Sequence, residues 1–221
     1  SRIWENKTEK MLGILVDNSL KFDKHVDTIC SKANKKLSVI TRLSNLPFFR
    51  LRILIKSFLK PLFSYCPLIW MFTSRSTNLK IDKLQERALR ILYGDHSSTF
   101  SDLLTKDNCV TVHVRNLRLL AIEMFKVKNN LSPMFIVDLF QKSDARYNFR
   151  SQREFSRPRI KTVYWGMESI RYYGPIIWDM VPNEIKNATT LDIFKQAIRK
   201  WTPVDCPCKI CKEYISELGF L

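Results

Sequence analysis

Several features that would indicate common enzyme classes are missing from this sequence. Glycine is scarce, at 5 of 221 residues, which argues against glycine-rich phosphate-binding loops and against a turn-dense all-β fold. No Asp-Asp pair occurs, whereas polymerase chemistry needs closely held carboxylates that bind two metal ions. The histidines His25, His96 and His113 lie far apart, and none is obviously paired with a nucleophile. We therefore expect no autonomous catalysis by this chain.

Long apolar runs and a secretory signal are also missing. No apolar run reaches the roughly 18 residues that a transmembrane helix requires, so we expect neither a membrane span nor a membrane partner. The chain begins without Met and without an apolar signal region. This beginning predicts a piece of a longer protein in a reducing intracellular compartment, either the nucleus or the cytoplasm.

Positive charge is what the sequence has in excess. Its 37 Lys and Arg residues outnumber 21 Asp and Glu residues, which gives a net charge of +16 and a pI near 9.7. This balance favours polyanionic partners, because each neutralised phosphate releases condensed counterions. We expect RNA, RNA–DNA hybrid or DNA as the partner. An anionic membrane surface is a weaker alternative, because no amphipathic helix stands free of the expected core.

Helical spacing of apolar residues dominates the chain. It predicts helices over residues 22–43, 50–63, 75–93, 100–107, 112–128, 133–140 and 189–201. Residues 11–16 (MLGILV) predict a buried strand. We expect the second helix to kink or end at Pro61, and the dipeptide Gly174-Pro175 to break the chain. The predicted fold is mainly α, a thumb-like helical bundle with a few short strands and a cysteine-containing tail.

The helix predicted over residues 75–93 carries two parallel stripes. The apolar stripe consists of Ile81, Leu84, Ala88 and Ile91. A basic stripe flanks it and consists of Lys80, Lys83, Arg87 and Arg90. A helix that faces the core with cations along one side can follow a phosphate backbone, and a solvated basic surface is the alternative.

A second basic region follows Gln141. Its seven cations are Lys142, Arg146, Arg150, Arg153, Arg157, Arg159 and Lys161, and the aromatic residues between them are Tyr147, Phe149 and Phe155. Arginines that pair with phosphates and rings that stack on bases suit single-stranded or hybrid nucleic acid. We select Arg150, Arg153, Arg157 and Arg159 as candidate contacts. A solvated flexible loop is the alternative.

The remaining chemistry lies in the cysteines. Cys206, Cys208 and Cys211 supply three thiolates close together, which suit zinc. A structural zinc site needs a fourth ligand, for which His96, His113 and Asp205 are candidates. A metal-free thiol cluster is the alternative. The isolated residues Cys30, Cys66 and Cys109 are expected to be buried thiols.

A series of motifs in order along nearly the whole chain resembles the C-terminal part of reverse transcriptases from non-long-terminal-repeat (LINE-type, jockey-like) retrotransposons. The similar segments are residues 10–14 (KMLGI), 22–26 (FDKHV), 63–72 (FSYCPLIWMF), 78–90 (NLKIDKLQERALR), 112–116 (VHVRN), 123–126 (EMFK), 174–178 (GPIIW), 182–186 (PNEIK), 194–195, 200–201 and the cysteine tail. The tail departs from the Cys-Cys-His-Cys pattern of some related elements, because no histidine lies near it in the sequence.

The resemblance implies a division of the chain by role. Residues 1–22 would end a palm-like domain beside its primer grip, and residues 23–140 would form a helical thumb-like domain that holds the template–primer. Residues 141–205 would form a basic loop and C-terminal helical region, before the cysteine tail at 206–221. The catalytic palm, with its aspartates and magnesium, would lie upstream in a parent RNA-directed DNA polymerase and would be a partner of this segment.

Two functions of different classes follow. The first is a non-catalytic C-terminal segment of such a reverse transcriptase, which binds RNA or DNA template–primer through basic helices. The second is the remnant of a decayed element that acts only as a protein-interaction or structural module.

Overall fold

The structure of the protein, a computed structural model, describes residues 8–142, 153–159, 169–204, 206–208 and 210–211. These residues form ten helices and one two-stranded sheet. The predicted mainly α fold is thereby confirmed. Across the described ranges we find no helix whose length and apolar character would let it cross a bilayer. The chain divides into two compact units, Ser1–His113 and Val114–Leu221.

The chain begins, where it is described, with a hairpin in place of the single strand predicted over residues 11–16. Strand β1 (Thr8–Met11) pairs antiparallel with strand β2 (Ile14–Asp17). Leu12 and Gly13 form the turn, with φ angles of 47° and 87°. Two consecutive residues with positive φ are typical of the tightest hairpin turns. The apolar run therefore contains a turn that its hydrophobicity concealed.

Five helices follow the hairpin in the first unit. They are α1 (Asp23–Thr41), α2 (Phe48–Ser64), α3 (Pro67–Trp70), α4 (Arg75–Tyr93) and α5 (Phe100–Lys106). Helices α1, α2 and α4 enclose a common core around Val26, Ala33 and Leu37, which are fully buried. Thr99 followed three residues later by Asp102 predicts a capping box, and helix α5 begins with it: the two residues exchange hydrogen bonds. This box satisfies backbone N–H groups that a helix start leaves unpaired.

Helix α2 corrects two expectations. Pro61 lies inside it, and the helix continues to Ser64. The spacing in the sequence predicts Ile53 or Leu54, together with Phe58 and Leu62, as the inward residues. Ile53 and Phe58 are instead 50% and 42% exposed, whereas Leu54 and Leu62 are half-buried. The buried positions are instead Leu51, Ile55, Leu59 and Phe63. Apolar side chains occupy most sides of this helix, so that periodicity alone does not identify its buried face.

The remaining helices belong to the second unit, apart from the first two residues of α6. They are α6 (Val112–Lys128), α7 (Met134–Val137), α8 (Ile170–Met180), α9 (Asn183–Lys186) and α10 (Leu191–Ile198). The apolar spacing in α6 predicts one inward face, and the structure confirms it, since all of its residues are buried: Leu117, Leu120, Ala121, Met124 and Val127. Phe125 of α6 stacks on Phe194 of α10, with ring centroids 4.3 Å apart.

The sequence predicted that the dipeptide Gly174-Pro175 would break the chain. This prediction was wrong, because α8 runs through both residues. Gly174 serves close packing instead. A Cβ atom at this position would come within 2.7 Å of Phe140 and 2.8 Å of Met124. The sequence predicts that Thr189, with Asp192, caps α10. The cap is instead Thr190, whose side chain accepts the hydrogen bond from the N–H of Ile193.

Two of the three isolated cysteines depart from the expected burial. Cys30 is buried, Cys109 is half-buried and Cys66 is exposed. Cys66 has a φ of 43° and immediately precedes α3. Its place at a turn between two helices explains why an apolar sequence context did not bury it.

Candidate functional site

Helix α4 holds its basic stripe in place through both of its ends and its apolar face. The side chain of Ser74 caps the first turn by accepting a hydrogen bond from Thr77, and Gly94 ends the helix with a φ of 60°. Glycine tolerates this left-handed conformation without steric cost. Buried residues of α4 include Ile81, Leu84, Ala88, Leu89 and Leu92. Ile91, the fourth member of the predicted apolar stripe, is half-buried.

The basic stripe of α4 lies along α1. Lys80 donates a hydrogen bond to Asp27 at 2.5 Å. Arg87 donates to the side-chain oxygen of Asn34. In each pair the two residues are 53 positions apart in the sequence. Asn34 lies seven residues after Asp27 on α1, and Arg87 lies seven residues after Lys80 on α4. The two helices therefore run parallel, with a constant register.

Two further lysines on this side of the helix pair have no ion-pair partner within the described ranges. Lys83 lies between Lys80 and Arg87 on α4 and is exposed, and Lys35 follows Asn34 on α1 and is exposed as well. We call the polar side of the α1–α4 contact the seam surface. Its residues are Asp27, Ser31, Asn34, Lys35, Ser38, Lys80, Lys83 and Arg87.

Arg90, the last residue of the predicted stripe, has a local structural role. Its guanidinium group donates to Glu86 one turn earlier, at 2.6 Å and 3.2 Å. It also donates to the backbone carbonyl of Asp95 at 3.3 Å. These bonds tie the end of α4 to the loop that follows it, so Arg90 lies outside the seam surface.

The second basic region is folded onto α8 where the structure describes it. Arg153 and Arg157 both pair with Asp179, at 3.7 Å and 2.9 Å. We call these three residues the Asp179 cluster. Arg159 is exposed and has no ion-pair partner within the described ranges. Arg150 lies outside the described residues.

The aromatic residues of this region do not form the expected stacking surface where they are described. Phe155 is 1% exposed and packs edge-on against Phe140 and Trp178. It is therefore a core residue and is not available to bases. Tyr147 and Phe149 lie outside the described residues.

The neighbouring acid, Glu154, strengthens this packing. It accepts hydrogen bonds from Lys128 at 2.9 Å and from the indole N–H of Trp178 at 2.8 Å. The ammonium groups of Lys128 and Lys186 each lie 5.6 Å from the centre of the Trp178 ring. Cations at this distance are attracted by the face of an aromatic ring. Asp179 thus engages two arginines of this region, while Glu154 and Trp178 engage lysines that lie outside it in the sequence.

The cysteine tail gathers its thiols. Cys206 and Cys208 are each 1% exposed, and Cys211 is half-buried. Hydrogen bonding to Cys208, together with burial, raises the pKa of Cys206 to about 12. Hydrogen bonding to Cys206 and Cys208, together with burial, also raises the pKa of Cys211. The raised pKa values favour neutral thiols, and several thiolates in so small a buried volume would need a cation to balance their charge.

His113 joins this group through space. It lies in the first turn of α6 and is buried. Its imidazole and the sulfur atoms of Cys208 and Cys211 all lie within 4.8 Å of one another, a spacing at which they could hold a metal ion. His96 is not a member of the group, and Asp205 lies outside the described residues. Among the candidate fourth ligands, His113 therefore joins Cys208 and Cys211, whereas Cys206 is not a member of this group.

The sequence reasoning missed the partners of the basic stripe. Asp27 and Asn34 are seven residues apart on α1, and Lys80 and Arg87 are seven residues apart on α4. This equal spacing is compatible with parallel packing of the two helices, and it was the signal that the sequence offered. No local signal connected His113 to the tail, because more than ninety residues separate them.

We compared the chain with protein-family models, with curated proteins and with solved structures, and none of the three comparisons found a match.

Proposed function

We propose that this chain is a non-catalytic, nucleic-acid-binding segment of a retrotransposon RNA-directed DNA polymerase, and that it binds RNA–DNA template–primer through the seam surface. The observation that carries the proposal is the arrangement of cations along α4. Lys83 is exposed without an ion-pair partner among the described residues, and Arg87 is held by the neutral side chains of Asn34 and Ser38.

Neutral acceptors matter because they fix a cation without cancelling its charge. The guanidinium group of Arg87 donates to Asn34 and, at 3.4 Å, to Ser38. Its orientation is thereby restricted while its full positive charge remains. A phosphate that approaches the seam surface meets a charge that is already positioned, so less side-chain entropy is lost on binding. Such contacts position a nucleic acid without reading its sequence.

The candidate contacts fall into two ranks. The first rank consists of the α4 cations Lys80, Lys83, Arg87 and Arg90, with Arg90 last because Glu86 engages it. The second rank consists of Arg150, Arg153, Arg157 and Arg159, of which Arg153 and Arg157 are paired with Asp179. Any magnesium would be bound by the palm of the parent polymerase, which is the expected protein partner of this segment.

The test is a salt titration of binding to a labelled RNA–DNA hybrid, with duplex DNA and anionic vesicles as comparison ligands. We expect hybrid binding that survives physiological salt, with the logarithm of affinity falling steeply against the logarithm of salt concentration. The double variant Lys83→Glu/Arg87→Glu should bind at least tenfold more weakly and with a flatter salt dependence, because two phosphate contacts account for a slope of about 1.4–1.8.

Two results would contradict the proposal. An unchanged salt slope in the double variant would exclude the seam surface as the binding site. Wild-type binding that vanishes by physiological salt and is equal for every polyanion would favour the remnant of a decayed element, a structural or interaction module without a nucleic-acid function.

We further propose that the group formed by His113, Cys208 and Cys211 holds zinc, with Cys206 as the fourth ligand. The donor set fits this metal, because zinc in structural sites is bound by four cysteine or histidine ligands in a tetrahedron. Cys206 is buried, and the neighbouring thiol of Cys208 contributes to its raised pKa. Four protein ligands leave no open position for a substrate, so the metal would have a structural role.

Metal analysis of the purified protein tests this assignment. We expect one zinc per chain in the wild type. The exposed thiol variant Cys66→Ser should retain it, whereas Cys206→Ser should lose most of it. A wild-type protein that binds no zinc after purification without chelators and after incubation with the free metal would leave a metal-free thiol cluster.

A further inference from the structure

We propose that Asp27 limits the affinity of the seam surface for nucleic acid, because its carboxylate competes with phosphate for Lys80. The inference rests on the proposed function and deepens it. It assigns to one acidic residue of α1 the role of setting how many cations the surface offers to a phosphate backbone.

The cations of α4 are spaced along a length that matches several phosphates. A rise of 1.5 Å per residue places Lys80 and Arg87 about 10 Å apart along the helix axis, with Lys83 between them. A strand of duplex nucleic acid carries one phosphate per roughly 3.4 Å of its axis. A strand that follows α4 therefore presents about three phosphates to three cations, and Lys80 is the first of the three.

Lys80 differs from the other two cations in its partner. Its ammonium group lies 2.5 Å from a carboxylate oxygen of Asp27, whereas Arg87 is held by an amide and a hydroxyl. The Asp27 carboxylate is the largest cause of the raised pKa of Lys80. Lys80 thus stays charged, but the charge that reaches a ligand is offset by its neighbour. Of the three cations, Lys80 is the one that a phosphate must win from an acid.

The pair is open to exchange. The side chains of Lys80 and Asp27 are 51% and 53% exposed, and an exposed pair of this kind is weak because water and salt screen it. A phosphate can therefore displace the carboxylate without unfolding any part of α1. The displaced carboxylate remains on the seam surface and repels the bound strand.

The surface suits a nucleic acid better than a bilayer. The seam surface consists of Asp27, Ser31, Asn34, Lys35 and Ser38 on α1 and of Lys80, Lys83 and Arg87 on α4. All of them are polar. A helix that binds a membrane surface needs apolar side chains beside its cations, and the seam surface supplies none of them.

The test compares Asp27→Asn with Asp192→Asn. Asp192 is a matched control, because it forms an exposed pair with Lys195 at 3.2 Å on α10, and neither residue belongs to the seam surface. Both variants raise the net charge by one. We expect Asp27→Asn to bind an RNA–DNA hybrid about twofold to fivefold more tightly at physiological salt and with a slope steeper by about 0.7–0.9. Asp192→Asn should match the wild type.

A second substitution tests whether the gain in affinity depends on Lys80. In the double variant Asp27→Asn/Lys80→Gln, the gain should disappear, because the released cation is no longer present. Affinity of this variant close to that of Lys80→Gln alone would support the competition between Asp27 and phosphate. A gain that persists without Lys80 would overturn it.

The outcomes separate this inference from the proposed function. Wild-type protein that binds the hybrid, together with an unchanged Asp27→Asn variant or an equal gain in Asp192→Asn, would overturn the role of Asp27 and leave the proposed function standing. An equal gain of Asp27→Asn on anionic vesicles would overturn the preference for nucleic acid. Wild-type protein that does not bind at physiological salt would contradict the proposed function itself.

Discussion

The seam surface and the Asp179 cluster both contain cations but place them in different chemical surroundings. On the seam surface, Arg87 is held by neutral side chains and Lys83 is exposed without an ion-pair partner among the described residues. In the Asp179 cluster, Arg153 and Arg157 share one carboxylate whose side chain is only 21% exposed. The first arrangement keeps positive charge available to a ligand, and the second uses it to hold the chain together.

The comparison teaches that a count of basic residues does not locate a polyanion site. The acceptor that faces each cation decides its role, because an amide or a hydroxyl orients a cation whereas a carboxylate also neutralises it. Asp27 is the exception on the seam surface, since it pairs with Lys80. The exposed Lys80–Asp27 pair is more easily broken than the partly buried pairs of Asp179.

The largest expected effect is a loss of stability caused by a substitution in the cysteine tail, without a loss of binding at the seam surface. Cys208→Ser should remove a zinc ligand and lower the melting temperature by several degrees, because the free energy of metal binding contributes directly to folding. Affinity for the RNA–DNA hybrid, measured well below the melting transition, should change less than twofold, because the tail supplies none of the first-ranked contacts.

The control for this variant is Cys66→Ser, which changes an exposed thiol outside the group. It should melt like the wild type and keep its zinc. A chelator should destabilise the wild type and Cys66→Ser equally, and should have little further effect on Cys208→Ser. Equal melting of all three proteins with and without the chelator would argue against a structural metal.

Much of the fold was predictable because the helices are amphipathic over long stretches. The spacing of Leu117, Leu120 and Met124 identified the buried face of α6, and Thr99 with Asp102 marked the start of α5. Prediction was wrong where hydrophobicity was not periodic, as in α2, and where glycine had a packing role, as at Gly174. In both places tertiary contacts decided the structure.

The second effect comes from giving the Asp179 cluster the kind of neutral acceptor that the seam surface has. Asp179→Asn should leave Arg153 and Arg157 with a neutral acceptor, as Arg87 has on the seam surface. We expect the free energy of unfolding to fall by about 1 kcal/mol, since two partly buried ion pairs are lost. Affinity for the RNA–DNA hybrid should rise about twofold to fivefold as two arginines become available.

Urea denaturation and the salt titration measure these two quantities on the same samples. Asp192→Asn again serves as the control, because it removes an equal charge from an exposed pair. It should leave both the stability and the affinity near the wild-type values. If Asp179→Asn loses stability without any gain in affinity, Arg153 and Arg157 are structural residues alone and leave the second rank of candidate contacts.

The candidate site was less predictable than the fold. The sequence identified the four cations of α4 and the three thiols of the tail, because both sets lie close together along the chain. It could not distinguish Lys83 from Arg90, since the difference is the partner that each finds in three dimensions. It also left the fourth ligand open, because only the folded chain brings His113 near Cys208 and Cys211.

The smallest expected effect is a pH dependence of stability that arises from His25 on α1, the helix that contributes half of the seam surface. His25 on α1 is buried, and its Nδ1 atom accepts a hydrogen bond from the N–H of Leu15 on β2 at 3.2 Å. A protonated imidazole cannot accept this bond. Burial, with a smaller contribution from Lys32, lowers the pKa of His25 below its ordinary value of 6.5. The folded chain therefore keeps His25 neutral at a pH where the unfolded chain already binds a proton.

The sign of the pH effect follows from this difference. Since the unfolded state binds more protons below about pH 6.5, stability should be complete above that pH and should decline as the pH falls toward the lowered pKa of the folded state. Urea midpoints at pH 7.5 and pH 5.5 measure the decline. His25→Gln should reduce it, because glutamine does not titrate and its side-chain oxygen can accept the bond from Leu15. His96→Gln, at an exposed histidine, should keep the wild-type decline, and an equal reduction in both variants would exclude His25 as its source.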